Sequence, residues 1–144
     1  MNFNNTNSIV KDLTFNKKAN TKIMKGVDKL AKAVSSTLGA SGKCVIYEDG
    51  RGKPVITKDG VTVAQSVVLY DPVENIGATL IKEAAQNTVK EAGDGTTTAT
   101  VLAQEILKNA LQAQNTGATV RKIKEGIYYA LKKVNKYLDS IKID

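Results

Sequence analysis

The chain has 144 residues, 42% hydrophobic and 24% charged, an ordinary balance for one globular domain. One cysteine and no histidine exclude an internal disulfide, a Cys/His zinc site, and Ser-His-Asp or Cys-His catalysis, so any chemistry must use carboxylates, lysine, hydroxyls and a metal. The net charge of +7, from 21 basic and 14 acidic residues, is spread along the chain without interleaved stacking aromatics. It reads as solvated helix faces, with no specific nucleic-acid partner.

No apolar run approaches the ~20 residues of a membrane span. The amino terminus shows neither a secretory signal core nor an Arg-rich transit pattern, so a cytoplasmic location and no membrane partner are expected.

Residues 1–9 are polar and Asn-rich and read as a flexible tail, with the ordered unit spanning 10–144. Val10 to Phe15 has the composition of a short strand. A helix is expected from about Asn20 to Leu38, because Ile23, Met24, Val27, Leu30, Ala31, Val34 and Leu38 share one face at helical spacing and Gly39 stops it.

Short strands at about Lys43–Glu48 and Pro54–Thr57 flank the hairpin-type turn Asp49-Gly50-Arg51-Gly52. Cys44 falls in the first as a small strand residue. Val61 to Leu69 is ambiguous, since its β-branched residues favour a strand while a short helical turn can follow Asp59.

Pro72 opens a second long helix that runs to about Ala92, with Gly93 ending it. A third starts near Thr96 and ends before Gly117; a fourth starts at Thr119 and carries Val120, Ile123, Ile127, Leu131, Val134, Leu138 and Ile141. The predicted fold is mainly α, a bundle of four long helices with a small β-hairpin insertion.

Three Gly-containing turns punctuate these elements: Thr37-Leu38-Gly39-Ala40-Ser41-Gly42, Lys58-Asp59-Gly60 and Asp94-Gly95-Thr96-Thr97-Thr98. Singly, each has a plain structural reading as a helix cap, a hairpin turn, or a helix start with Asp94 or Thr96 as N-cap. The first is not a P-loop. Two residues separate its glycines instead of four, and Cys44 follows Lys43 where Ser or Thr should stand.

Together the turns offer glycine backbone and threonine hydroxyls for phosphate, a lysine, and two carboxylates flanked by glycine. Phosphoryl transfer to water needs a metal holder, phosphate donors and a group that orients the attacking water. Asp94 suits the metal and Asp59 the water. The sequence does not show that the turns meet.

These same stretches carry a resemblance. Thr37-Leu38-Gly39-x-x-Gly42-Lys43, then Ile56-Thr57-Lys58-Asp59-Gly60-Val61, then Ala92-Gly93-Asp94-Gly95-Thr96-Thr97-Thr98-Ala99-Thr100-Val101-Leu102-Ala103 resemble the bacterial group I chaperonins of the GroEL type, in order and spacing, from about Val10 onward. The resemblance implies an equatorial-type helical domain of an ATP-driven folding machine, a double ring of seven-membered layers that acts with a co-chaperonin on unfolded polypeptides.

It further implies that Thr37, Leu38, Gly39 and Ala40 contact the nucleotide phosphates, and that Lys58 acts near the γ-phosphate. Gly95, Thr96, Thr97 and Thr98 would bind phosphates, Asp94 would bind phosphate through Mg2+, and Asp59 would position the hydrolytic water. Thr37 and Lys58 would neighbour a monovalent cation, with K+ the candidate.

Ala40 stands where the family usually has proline, which loosens φ there, and a few extra polar residues precede the match. The chain stops at Asp144, about where the family's intermediate domain begins. By resemblance it lacks the apical domain and the C-terminal half of the equatorial domain, with the purine pocket and a second aspartate. The fold is then incomplete, negligible ATPase activity is expected of these residues alone, and faces left in water cost roughly 25 cal/mol per Å². A second reading is a naturally short, catalytically incomplete protein that docks onto or regulates a full-length chaperonin.

Overall fold

The computed structural model describes residues 13–143, with the elements α1 (Asn16–Ser35), β1 (Val45–Glu48), β2 (Pro54–Thr57), α2 (Gly60–Ser66), α3 (Pro72–Ala92), α4 (Thr96–Asn115) and α5 (Val120–Ile141). The mainly helical fold with one hairpin is the expected one. The 1–9 tail and the first residues of the expected Val10–Phe15 strand lie outside the described residues. The rest of that stretch is not a strand, and Phe15 is the extended N-cap of α1.

Helix α1 begins four residues before Asn20, because Lys17, Lys18 and Ala19 favour helix although they carry no apolar stripe. It also stops three residues before Leu38. The hydroxyls of Ser35, Ser36 and Thr37 donate to the carbonyls of Lys32, Ala33 and Val34. The N–H groups of Thr37 and Leu38 bond three residues back, so the last turn tightens and ends. Val61 to Leu69 resolves as the seven-residue α2 followed by an irregular link. Cys44 is exposed one residue before β1 rather than within it.

The core is the α1–α3 crossing, closed at one end by α2. Val27, Leu30, Ala31 and Val34 of α1, Val63 and Ala64 of α2, and Ala78, Ile81 and Ala85 of α3 are buried. Two glycines set the approach of the long helices. A Cβ at Gly26 would lie 1.7 Å from the Glu74 carbonyl oxygen, and one at Gly77 2.1 Å from that of Ile23. Backbone therefore touches backbone, flanked by ion pairs from Lys22 to Asp71 and from Lys29 to Glu74, each at 2.5 Å.

In the hairpin, Val45 pairs with Thr57, Ile46 with Ile56 and Tyr47 with Val55. Asp49 accepts from the N–H groups of Arg51 and Lys53 to close the turn. Helix α4 packs on α1 and α3 and buries only Thr96 and Thr100. Helix α5 starts as expected, with Thr119 accepting from the Lys122 N–H, yet none of its residues is buried. Its stripe of Ile127, Leu131, Val134, Leu138 and Ile141 faces solvent. Among the described residues no helix is long and apolar enough to cross a membrane.

Candidate functional site

The ends of α1, α3 and β2 and the starts of α2 and α4 enclose a pocket of about 400 Å³. Thr37, Leu38, Gly39, Lys58, Asp59, Asp94, Gly95, Thr96, Thr97 and Thr98 all line it, so the three turns singled out from sequence meet. Ala40 is not among the lining residues. The lining also includes Gly60, Val61, Val89 and Gly93, which the sequence reading did not assign to a site. A larger groove of about 520 Å³ lies elsewhere, lined only by residues within α1 and α4.

Two left-handed glycines shape the wall at the start of α4. Gly93, at φ +73°, ends α3 with its N–H on the Val89 carbonyl. Gly95, at φ +85°, is the N-cap of α4, so neither Asp94 nor Thr96 takes that place. No side chain caps this helix, and its first backbone bond runs from the Ala99 N–H to the Gly95 carbonyl. The N–H groups of Thr96, Thr97 and Thr98 thus precede the helical ladder at the positive end of the helix. Asp94 Oδ1 accepts from the Gly95 N–H at 2.6 Å. Thr96 keeps only 6% of its surface, and its carbonyl accepts from the Thr100 hydroxyl.

Asp59 is the N-cap of α2. Its Oδ2 accepts from the Thr62 N–H at 2.8 Å and the Thr62 hydroxyl at 2.5 Å, and its Oδ1 from the Val61 N–H at 3.4 Å. The Thr62 hydroxyl bond, then the Thr62 N–H, hold this carboxyl below the usual carboxylate range against a smaller opposing effect of burial. Gly60 explains how two helix starts fit side by side. A Cβ there would lie 2.4 Å from Thr97 Oγ1 and 3.5 Å from Val34. At the far end of α2, the Lys82 ammonium donates to the carbonyls of Val67 and Gln65, and burial lowers its pKa.

The donor set has a definite chemistry. Free N–H groups, a lysine and threonine hydroxyls suit an anion. The Thr37 hydroxyl donates to the Val34 carbonyl at 2.8 Å, so it turns an acceptor lone pair toward other groups. No group of three or more Asp, Glu, Cys or His that could cage a metal occurs among the described residues. A divalent cation would therefore need oxygens brought by its ligand beside Asp94, the manner in which Mg2+ is commonly held with phosphates.

Residues 30–144 match the profile of the TCP-1/cpn60 chaperonin family, and the chain belongs to that family. Among curated relatives it is 47% identical over 133 residues to a protein named Chaperonin GroEL from Mycoplasmoides gallisepticum. The match takes in 92% of this chain and 25% of the relative, so the chain spans about a quarter of that protein's length.

Proposed function

We propose that the protein carrying this segment is an ATP-dependent folding chaperonin, and that the pocket is the phosphate-binding side of its nucleotide site in an equatorial-type domain. The observation that carries the reading is the convergence of three sequence-distant turns on one pocket, with the α4 start open and carboxylates from two separate elements on its wall. The residues fit the ligand. Gly60 removes the methyl that would fill the cradle beside Thr97, and Gly93 and Gly95 adopt a backbone that keeps side chains away from an incoming anion.

When bound, Mg-ATP supplies the phosphoanhydride to be cleaved and cations that offset its own charge. The chain's residues do the rest. The N–H groups and hydroxyls of Thr97 and Thr98, with the Thr96 N–H, bind phosphate oxygens. Asp94 contributes a carboxylate oxygen to the divalent cation. Lys58 adds positive charge, and the Thr37 lone pair suits a neighbouring K+. Asp59, kept ionised, accepts a hydrogen bond from a water and orients it. Unfolded polypeptides, a co-chaperonin and a ring of like subunits are the partners this reading brings.

The test uses the full-length protein. Asp94→Ala should remove Mg-ATP binding in calorimetry and stop refolding of a denatured client. Asp59→Ala should leave binding intact and slow hydrolysis by about 10²-fold or more. Undiminished Mg-ATP affinity in Asp94→Ala would overturn the assignment.

A further inference from the structure

We propose that Thr62 is a positioning residue for the hydrolytic carboxylate, clamping Oδ2 of Asp59 so that Oδ1 is the oxygen presented to water. The inference rests on the reading of Asp59 given above. Thr62 does not line the pocket, and its hydroxyl reaches the site through its bond to Asp59.

The two carboxylate oxygens are unequally loaded. Oδ2 carries two short bonds from one residue, at 2.8 Å from the backbone and 2.5 Å from the hydroxyl. Oδ1 carries a single 3.4 Å contact from the Val61 N–H, at the edge of hydrogen-bonding range. An oxygen already holding two donors is a poor acceptor for a third, which leaves Oδ1 with the lone pairs open to water.

Helix capping alone does not require this arrangement. An N-cap aspartate satisfies its role by accepting from a backbone N–H of the first turn, which the Thr62 N–H already provides. The hydroxyl bond is additional. It comes from a β-branched side chain confined to two main χ1 rotamers in a helix, on the turn of α2 whose next residues, Val63 and Ala64, are buried in the core. The clamp is therefore anchored to the packed interior.

The test compares Thr62→Val, Thr62→Ser, Asp59→Ala and the Asp59→Ala/Thr62→Val double variant in the full-length protein, with Mg-ATP affinity as the check on folding. Thr62→Val should lower kcat about 10-fold or more with KM within about twofold, the size of effect expected when a reacting group loses its orientation. Thr62→Ser, which keeps the hydroxyl, should restore most of the rate. The double variant should be no slower than Asp59→Ala, since the two residues act as one unit.

If Thr62→Val does not bind Mg-ATP, Thr62→Ala, which removes the hydroxyl without adding volume, carries the same expectation. Wild-type kcat in the hydroxyl-less variant, or a further loss added to Asp59→Ala, overturns the inference while the role of Asp59 stands. A wild-type rate for Asp59→Ala itself overturns the underlying reading instead.

Discussion

Gly60→Ala separates the stability of this fold from the geometry of its pocket. The added methyl would sit 2.4 Å from Thr97 Oγ1, where ordinary contact begins near 3.4 Å, so about 1 Å of movement is required. Val34 at 3.5 Å and Thr37 Oγ1 at 3.7 Å close the sideways exits. The start of α2 must therefore back away from α4, carrying Asp59 with it, or Thr97 must change its rotamer and withdraw its hydroxyl from the pocket wall.

Overpacking of this kind costs about 1–3 kcal/mol, and the better helix propensity of alanine returns about 1 kcal/mol. The net loss is about 0–2 kcal/mol, a shift of a few degrees in melting temperature. A 1 Å displacement of a reacting group can cost about 10²-fold in rate. In the full-length protein, differential scanning calorimetry should show a small drop in Tm while steady-state ATP hydrolysis falls by one to two orders of magnitude. Wild-type kcat and KM with an unchanged Tm would refute the contact between the two helix starts as a determinant of the site.

Two further outcomes concern the fold. Asp71 caps α3 and pairs with Lys22, whose hydrogen bond is the main cause of its lowered pKa. A carboxylate with a depressed folded pKa gives stability that is fully present above its ordinary value near 3.8 and is lost as pH falls through the folded value. Asp71→Asn keeps a capping oxygen and loses the titration. Its urea midpoint should trail the wild type at pH 7 and approach it at pH 3, and an equal gap at both pH values would refute the linkage. Residues 1–144 prepared alone should associate through the open stripe of α5, giving a sedimentation coefficient that rises with concentration and falls back in Leu131→Asp/Leu138→Asp. A concentration-independent monomer with a cooperative melt above ~60 °C would count against this.

The parts of the fold legible in sequence were those fixed by local chemistry. Pro72 at a helix start and Gly93 at a helix end act within a few residues of themselves and stand where expected, and the helix expected to start at Thr119 begins one residue later with Thr119 as its cap. The bounds of α1 were missed because propensity extended one end and serine and threonine hydroxyls frayed the other. Gly95 took the N-cap from Asp94 and Thr96 because its left-handed backbone fits the sharp turn between α3 and α4.

The meeting of the turns had no local signal, since it depends on how α1 crosses α3. Gly60 was visible as half of an Asp-Gly turn, but its need to lack a side chain arises only beside Thr97. Thr62 was hidden for the same reason: its partner in space, not its neighbours in sequence, gives it meaning.

The touching backbones at Gly26 and Gly77 have a geometric consequence for the distant turn. From Gly77 to Gly93, helix α3 advances sixteen residues, about 24 Å at 1.5 Å per residue. A tilt of about 5° at the crossing would swing the Gly93–Gly95 turn by about 2 Å, more than a hydrogen bond tolerates. The aim of that turn is thus set far upstream of it, by two hydrogen atoms standing where any other residue would put a carbon.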